Sequence, residues 1–233
     1  MRIKRRRYYI DDEQPLVKYG NLYNWPCTQG TGDYSLIPLA MENQGWMIPR
    51  FTQESTPFIN YVGANGAYKI QDANLAYWGG TNNNNPTNIL GMTIRGSGKR
   101  GTSGAFEYLN TAHWFWIMLS GRQFTVTQSR VSQSITRSEL YSTEGCSIRL
   151  VRALQIGEQT IPDGQPVGTY TGNDGLVYPT TRIGDQVWLA CNLAETKLRN
   201  GDLIPVITDN AQWASQTGKA MCYYGNDFNN VFI

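Results

Sequence analysis

Residues 178–193 read YPTTRIGDQVWLACNL, and the fold depends on what this stretch packs against. Three large apolar residues, Val187, Trp188 and Leu189, follow one another within it. Such a run favours a central β-strand that is covered on both faces. Residues 169–233, which contain the run, are too few to cover that surface by themselves, so the stretch needs a partner. We therefore predict that it packs against the earlier part of the chain.

Four other stretches agree with this one in spacing: YGNLYNW at 19–25, GWMIP at 45–49, GCSIRLVR at 145–152 and CYYGND at 222–227. Together with RIGDQVWLACNL they resemble the Fibrobacter succinogenes major paralogous (FISUMP) domain, a module with a C-type-lectin-like fold. In that family the RIGNQVWMAENL-like segment comes first and the YGALYNW-like segment follows. Here the order is reversed. Four positions depart from the family pattern: Ala190 and Cys191 replace part of a MAEN motif, Cys146 is displaced from the closing cysteine, and His113 stands in place of an aromatic residue or glycine.

The resemblance implies an α+β chain of C-type-lectin-like fold, with short twisted antiparallel strands, one or two short helices and long loops. The composition suits this fold, since 24 glycines and only 16% charged residues favour short strands joined by many turns. The resemblance also implies a hairpin with Asp174 and Gly175 in its tight turn. One helix is expected to begin near Thr56, and another at Thr208 or Asp209.

The reversed order divides the chain into four parts. Residues 1–17 are expected to form a docking arm, 18–152 the main part of the domain, 153–168 a linker, and 169–233 the opening segment of the same domain type. The opening segment can pack on residues 18–152 of its own chain, as in a circular permutant, or on those of a neighbouring subunit. An extended linker of this length reaches roughly 50 Å, enough for the first arrangement. Two separate lobes are the third arrangement.

The basic residues concentrate at the start, where MRIKRRR carries five of the twenty lysines and arginines. The arm residues expected to dock on a partner are Arg2, Lys4, Arg5, Arg6, Arg7, Tyr8 and Tyr9. The chain as a whole carries a net charge of only +2, which gives no case for nucleic acid or an anionic membrane. No apolar run of signal-peptide length follows the basic start, and no stretch approaches the roughly 20 apolar residues of a membrane span.

No motif predicts catalysis, a metal or a cofactor. IRGSGKRG lacks the first glycine and the Ser or Thr of a phosphate loop, so it is expected to be a glycine-rich surface loop. His113 is the only histidine, and its aromatic neighbours predict a packed or interface side chain. The four cysteines are far apart in sequence and form no CxxC pair, which favours reduced thiols over disulfides or a zinc site. The acidic residues are too scattered for a calcium site.

Sugars bind by stacking on Trp or Tyr while amide, carboxylate or guanidinium groups bond their hydroxyls, and residues 74–105 have that chemistry. The ligand-binding candidates are Tyr77, Trp78, Asn82, Asn83, Asn84, Asn85, Arg95, Lys99 and Arg100. The alternative is that the tryptophans are core residues and the asparagine run is only an exposed loop. The residues expected in the structural core are Trp25, Trp46, Trp116, Trp188 and Trp213.

These features predict a non-enzymatic phage virion protein, such as a fibre, decoration or tail-associated protein, with a lectin-like attachment module. Its expected partners are other virion proteins, further copies of itself, and a host glycan or surface protein. The expected location is the virion, after assembly in the host cytoplasm. The alternative is a carbohydrate-binding adhesin on a bacterial cell surface. An enzyme related to the formylglycine-generating enzymes would need a reactive cysteine pair, for which the sequence offers no support.

Overall fold

The structure is a computed structural model that describes residues 16–63, 65–119 and 122–233. The predicted arm residues from Arg2 to Tyr9 lie outside these ranges. The described chain is α+β, with mostly short strands in curled sheets and few helices. Its strands are β1 Leu22–Tyr23, β2 Ser97–Arg100, β3 Phe106–Leu109, β4 Ala112–Leu119, β5 Arg122–Ser129, β6 Thr136–Glu139, β7 Val151–Ala153, β8 Thr169–Thr171, β9 Val177–Ile183, β10 Gln186–Leu189 and β11 Met221–Cys222. Its α-helices are α1 Leu39–Glu42, α2 Thr56–Val62 and α3 Asn210–Ala214, one more than expected.

Two of the three sheets join residues 18–152 to residues 169–233. In the four-stranded sheet, of order β7-β10-β9-β8, strand β10 pairs with β7 from the first segment and with β9 from the second. The two-stranded sheet pairs β1 with β11. The five-stranded sheet, of order β3-β2-β4-β5-β6, comes from the first segment alone, and its β2 and β4 are parallel. Within this chain the second segment therefore packs on the first; we call their shared buried boundary the seam.

Aromatic side chains fill the seam. Trp188 of β10 is fully buried, with its ring centroid 4.6 Å from that of Phe58 in α2 and 6.0 Å from that of Phe115 in β4. Each of these contacts brings the second segment against the first. The other tryptophans placed in the core from the sequence are also buried, namely Trp25, Trp46, Trp116 and Trp213.

The start of the domain is packed from Val17 onward. Val17 is buried and forms an isolated bridge with Phe232, and the N–H of Lys18 donates to the carbonyl of Val231 at 2.7 Å. The N–H of Ile233 bonds back to the carbonyl of Leu16 at 2.9 Å. Val17, which the sequence placed in the arm, thus belongs to the packed domain.

The connection over residues 153–168 is bound to the domain along its length. Arg182 donates to the carbonyls of Gln159, at 2.7 Å, and Ile161. Val167 is buried and exchanges hydrogen bonds with the hydroxyl of Thr180. Gly164 approaches the neighbouring backbone so closely that a Cβ there would lie 2.1 Å from the carbonyl oxygen of Ile89. The segment predicted as a linker is thus a packed part of the fold.

Both predicted helix starts form helices. Asp209 is the N-cap of α3, and its side chain accepts from the N–H of Gln212 at 2.8 Å, as expected. Helix α2 begins at Thr56, but Ser55 occupies its N-cap position without a side-chain cap because a π-helical turn precedes it. The expected hairpin turn between β8 and β9 contains Asp174 and Gly175, the latter at φ +85°.

The prediction of a glycine-rich surface loop around residues 96–99 is wrong. Residues Ser97–Arg100 form β2, a mostly buried strand between β3 and β4. Gly98 is required there because a Cβ would lie 2.4 Å from the carbonyl oxygen of Glu107 and 2.6 Å from the ring of Tyr224. The glycines of this stretch thus permit a close approach of neighbouring chain.

Many carbonyls of this loop-rich chain face no strand neighbour, and buried arginines bond them. Arg149 donates to the Asn192 side chain at 2.7 Å and to the carbonyls of Leu189, Met92 and Thr93. Burial lowers the pKa of its guanidinium to about 9. One planar group with five donors can bond two separate stretches of chain in this way, residues 92–93 and 189–192, which a lysine could not do.

Arg100 makes a second cross-link of this kind. From β2 it donates to the carbonyls of Gly104, at 2.8 Å, and Thr208, at 3.1 Å, and its guanidinium lies 4.5 Å from the ring centroid of Trp213. It therefore bonds the loop before α3 to the first segment.

Among the described residues, no helix has the length and apolar character of a membrane span.

Candidate functional site

An open cleft of about 420 Å³ lies at the outer edge of the seam. One wall is the π-helical turn Phe51–Ser55 with the start of α2, and the other is the end of β7 with the turn between β9 and β10. Its size falls within the range of roughly 300–1,000 Å³ typical of ligand sites. Because residues 183–186 come from the second segment, the cleft exists only where the two segments are docked.

The π-helical turn shapes one wall of the cleft. The carbonyl of Arg50 accepts from the N–H of Ser55 at 2.9 Å, a five-residue spacing that replaces the usual four. Arg137 fixes the turn from the inner side, with its guanidinium 4.0 Å from the Phe51 ring centroid and bonded to the Phe51 carbonyl at 3.1 Å. Such turns are rare and occur frequently at functional sites. This one places Arg50 and Gln53 at the rim.

Some polar groups of the cleft are fully paired. Arg50 binds Glu54 through its Nε, 2.9 Å from Oε2. Gln186 accepts from the indole N–H of Trp188 at 3.0 Å and donates to the carbonyl of Glu54 at 3.1 Å. These bonds keep the two walls in a fixed relation, because Gln186 belongs to one and Glu54 to the other.

Other polar groups of the same cleft have no partner. The Nε of Arg152 is buried and donates to no described atom, although the other end of this guanidinium binds Glu158 at 2.6 Å. The side chains of Gln53 and Asp185 make no hydrogen bond to any residue in the described ranges. Gln53 and Asp185 are exposed, so their polar groups are open to a ligand in the cleft.

An exposed aromatic ring completes the cleft. Tyr61 is 50% exposed, and its hydroxyl donates to Asp163, which raises the pKa of Tyr61. Asp163 also accepts from the N–H of Gly184 at 2.9 Å. A Cβ on Gly184 would lie 3.0 Å from the Tyr61 ring, so glycine lets the ring rest on this turn. The ring is therefore held in place before any ligand binds.

Three of the candidates from the sequence lie together around Asp72, bonded within the protein. Arg95 binds the Asp72 carboxylate at 2.7 Å and lies 4.0 Å from the ring centroid of Tyr77. Trp78 is fully buried and donates to the Asp72 carbonyl at 3.1 Å. Trp78 thus has no surface available for a ligand, and its role is in the core.

The exposed-loop prediction is wrong for two of the four asparagines. Asn82 and Asn84 are buried, and the amide groups of both donate to the side-chain oxygen of Gln71. Asn84 also donates to the carbonyl of Ser129 at 2.8 Å. Asn83 and Asn85 alternate with them and are exposed. The alternation arises because a turn with its own Asx hydrogen bond directs every second side chain inward.

The two basic candidates also serve internal contacts. Arg100 is the buried cross-link already described, so it is not a surface contact. Lys99 is partly buried and forms ion pairs with Glu144 and, at 3.8 Å, Glu107. The nine candidates therefore do not form one surface, and none of them lines the cleft.

The reactive side-chain types lie in the interior. His113 is fully buried with Nδ1 2.8 Å from the Ser97 hydroxyl, and burial lowers its pKa well below 6.5. The four cysteines are free thiols. Burial raises the pKa of Cys27 and Cys222 to about 12 and that of Cys191 to about 11, so these thiols stay protonated at neutral pH. Within the described ranges, no group of three or more His, Cys, Asp or Glu side chains could hold a metal ion.

Sequence reasoning missed every residue that lines the cleft. The π-helical turn has no sequence signature, and Gln53 and Asp185 are ordinary surface residue types. The one sequence signal for the cleft was that residues 178–193 need another part of the chain to cover their apolar side chains. That need predicts a buried boundary between two segments, and such a boundary has an outer edge at the surface. No family model, curated protein or solved structure matches this chain.

Proposed function

We propose that this protein is a non-enzymatic attachment protein whose lectin-like module binds a neutral carbohydrate in the cleft. The observation that carries the proposal is the combination of a half-exposed, fixed Tyr61 ring with the exposed hydrogen-bonding groups of Asp185 and Gln53, which bond no described residue. A sugar ring offers an apolar face for the tyrosine and hydroxyls that both donate and accept. The exposed amide of Gln53 supplies a donor, and the Asp185 carboxylate supplies an acceptor.

The charge of the cleft favours a neutral ligand over an ionic one. The guanidinium of Arg50 is paired with Glu54, and that of Arg152 is paired with Glu158. An anionic ligand would have to compete with these carboxylates and would also meet Asp185. A cationic ligand would meet both arginines. Hydroxyl groups can use the remaining donor and acceptors without breaking either ion pair.

The interior location of the reactive groups supports binding as the function. Nucleophilic catalysis by Cys or Ser needs an accessible group beside a general base. The thiols have raised pKa values, and the His113–Ser97 pair lies inside the five-stranded sheet with both side chains fully buried. The cleft offers hydrogen-bonding groups and an aromatic ring, which are the features of a binding site.

The biological setting we propose is a phage virion, in which the module belongs to a fibre, a decoration or a tail-associated protein. This rests on the resemblance to FISUMP-type modules in permuted order and on the basic residues of positions 2–7. Other virion proteins and further copies of this chain are the proposed partners, with a host glycan as the ligand. A bacterial surface adhesin is the second candidate, and the same cleft chemistry would serve it.

A printed array of neutral and anionic glycans tests the binding proposal. The intact chain should bind a subset of the neutral glycans, and Tyr61→Ala and Asp185→Ala should each weaken that binding about tenfold or more. Tyr141→Ala is the matched control because Tyr141 is 73% exposed and does not line the cleft. Its binding should equal that of the unchanged protein. Absence of binding to every glycan, or equal losses in all three variants, would overturn the proposal.

A further inference from the structure

A second hollow of about 480 Å³ lies on the other side of the π-helical turn. Its apolar lining includes Trp25, Phe51 and Met118, and its polar lining includes the exposed side chains of Gln29 and Thr52. The Trp25 indole is fixed edge-on against Trp116, with 5.4 Å between ring centroids. This hollow therefore offers a rigid apolar floor with hydrogen-bonding groups at its rim.

The two hollows are continuous along the surface because Arg50 and Gln53 line both of them. Arg50 is held by Glu54 in an ion pair that spans one turn, so it forms a low ridge between the hollows. Gln53 is exposed on this ridge and makes no hydrogen bond to any residue of the described ranges. An amide in this position can bond a ligand that crosses from one hollow to the other.

We infer that the cleft and the second hollow form one groove that binds a linear neutral glycan across the ridge of Arg50 and Gln53. This inference rests on the proposed carbohydrate function and names the form of the ligand. A single sugar fills only the hollow beside Tyr61. A chain of several units also enters the second hollow, where its apolar ring faces lie against Phe51 and Met118 while the amides of Gln53 and Gln29 bond its hydroxyls.

Binding measured against glycan length tests the inference. The probes are neutral linear glycans printed in series from single sugars to hexasaccharides, with branched and sialylated glycans beside them. Affinity should rise about tenfold or more from the shortest binding glycan to the longer members of the same series. The rise should end once both hollows are filled.

Two variants in the second hollow sharpen the test. Thr52→Arg places a long side chain over this hollow from an exposed position, and Gln29→Ala removes a rim amide. Thr52→Arg should abolish the gain with length while binding of the shortest glycan stays within about twofold. Gln29→Ala should reduce the gain in part. Thermal unfolding of both variants checks that each one is folded, and Tyr141→Ala is again the unaffected control.

The outcomes separate this inference from the proposal on which it rests. Binding of short neutral glycans without any gain from length, or a gain that survives in Thr52→Arg, overturns the groove and leaves the cleft as the site. A preference for branched or sialylated glycans also overturns it. Binding to no glycan at all overturns the carbohydrate function itself.

Discussion

Arg149, in the seam, places its nitrogens on three carbonyls and one side-chain amide, whereas Arg152, at the edge of the cleft, leaves its buried Nε without a partner. Both belong to the same stretch of chain and both are almost completely buried. The difference lies in what surrounds them. Loops from both segments converge on Arg149 and present carbonyls to it, while one side of Arg152 faces the open cleft.

The same contrast separates Glu195 from Asp185. Glu195 is buried, and its carboxylate accepts from the N–H groups of Asn173 and Asp174 and from the hydroxyl of Tyr178. Asp185 lines the cleft and makes no hydrogen bond to a residue of the described ranges. A buried polar group such as Glu195 needs partners within the fold, whereas an exposed one such as Asp185 is available to a ligand. The seam and the cleft should therefore respond differently to mutation.

The largest effect is expected where the seam is packed most tightly. Trp188→Ala should lower the free energy of unfolding by about 3–5 kcal/mol, because the indole is fully buried against Phe58 and Phe115. Urea unfolding followed by tryptophan fluorescence and circular dichroism measures it. Ile156→Ala is the control, since Ile156 is fully exposed and should change stability by less than about 0.5 kcal/mol. Similar losses of stability in both variants would contradict the interpretation that Trp188 lies in the core of the seam.

The buried guanidinium should come next. Arg149→Met keeps an unbranched chain but leaves three carbonyls and the Asn192 amide oxygen without their donor, so we expect a loss of about 2–4 kcal/mol. Arg50→Met removes an exposed ion pair in the cleft and should cost less than about 1 kcal/mol. The same unfolding measurement compares the two. A smaller loss for Arg149→Met than for Arg50→Met would contradict the distinction between seam and cleft.

A pH-dependent effect should follow from Glu195. Burial, together with the nearby Asp174 carboxylate, raises the pKa of Glu195 from 4.5 to about 8. The folded protein therefore keeps a proton that the unfolded chain releases above about pH 4.5. The stability contributed by protonated Glu195 is complete below that pH and is lost as the pH rises to about 8.

Glu195→Gln isolates this contribution because its side chain stays neutral. Relative to the unchanged protein, the variant should gain about 1 kcal/mol of stability per pH unit between about pH 5 and pH 8. Burial lowers the pKa of His113, so this residue makes the folded protein less stable as the pH falls below about 6.5. Its contribution is the same in both proteins and therefore cancels when their stabilities are subtracted. Unfolding curves at several pH values give the comparison, and a difference that does not vary with pH would contradict it.

The smallest effect on stability is expected in the cleft. Gln53→Ala and Asp185→Ala remove exposed side chains that bond no described residue, so each should change the free energy of unfolding by less than about 0.5 kcal/mol. The same variants should weaken glycan binding. Differential scanning calorimetry with the glycan array provides both measurements. A loss of several kcal/mol would show that these side chains support the fold.

The parts of the fold that were predictable from sequence depend on local chemistry or on clear apolar patterns. The side chain of Asp209 caps α3 because an Asp before a short apolar-faced helix can satisfy a free N–H. Residues 114–119, a continuous apolar run, lie in β4, whose first six residues are buried. The burial of Trp188 was predictable as well, although the residues that cover it were not. In each case the residue type alone limits the environment that it can occupy.

The remaining parts depended on contacts that the sequence does not display. Gly98 belongs to a strand because Tyr224, more than a hundred residues later, packs against it. Asn82 and Asn84 are buried because Gln71 bonds their amides. The cleft was not predictable for the same reason: a π-helical turn and the turn at Gly184 become neighbours only when distant segments dock. Turn-forming residue types indicate that the chain changes direction, but they do not indicate which distant segment packs against the turn.

One wall of the cleft comes from the first segment, and the other joins the end of β7 to residues 183–186 of the second segment, so an occupant of the cleft influences the whole domain. A ligand that contacts both Gln53 and Asp185 binds only the docked arrangement, so its binding free energy adds to that of folding. At a ligand concentration one hundred times Kd the gain is about 2.7 kcal/mol. With a ligand bound across the cleft, the two segments would then separate less often. Ligand binding would in this way lengthen the lifetime of the folded domain.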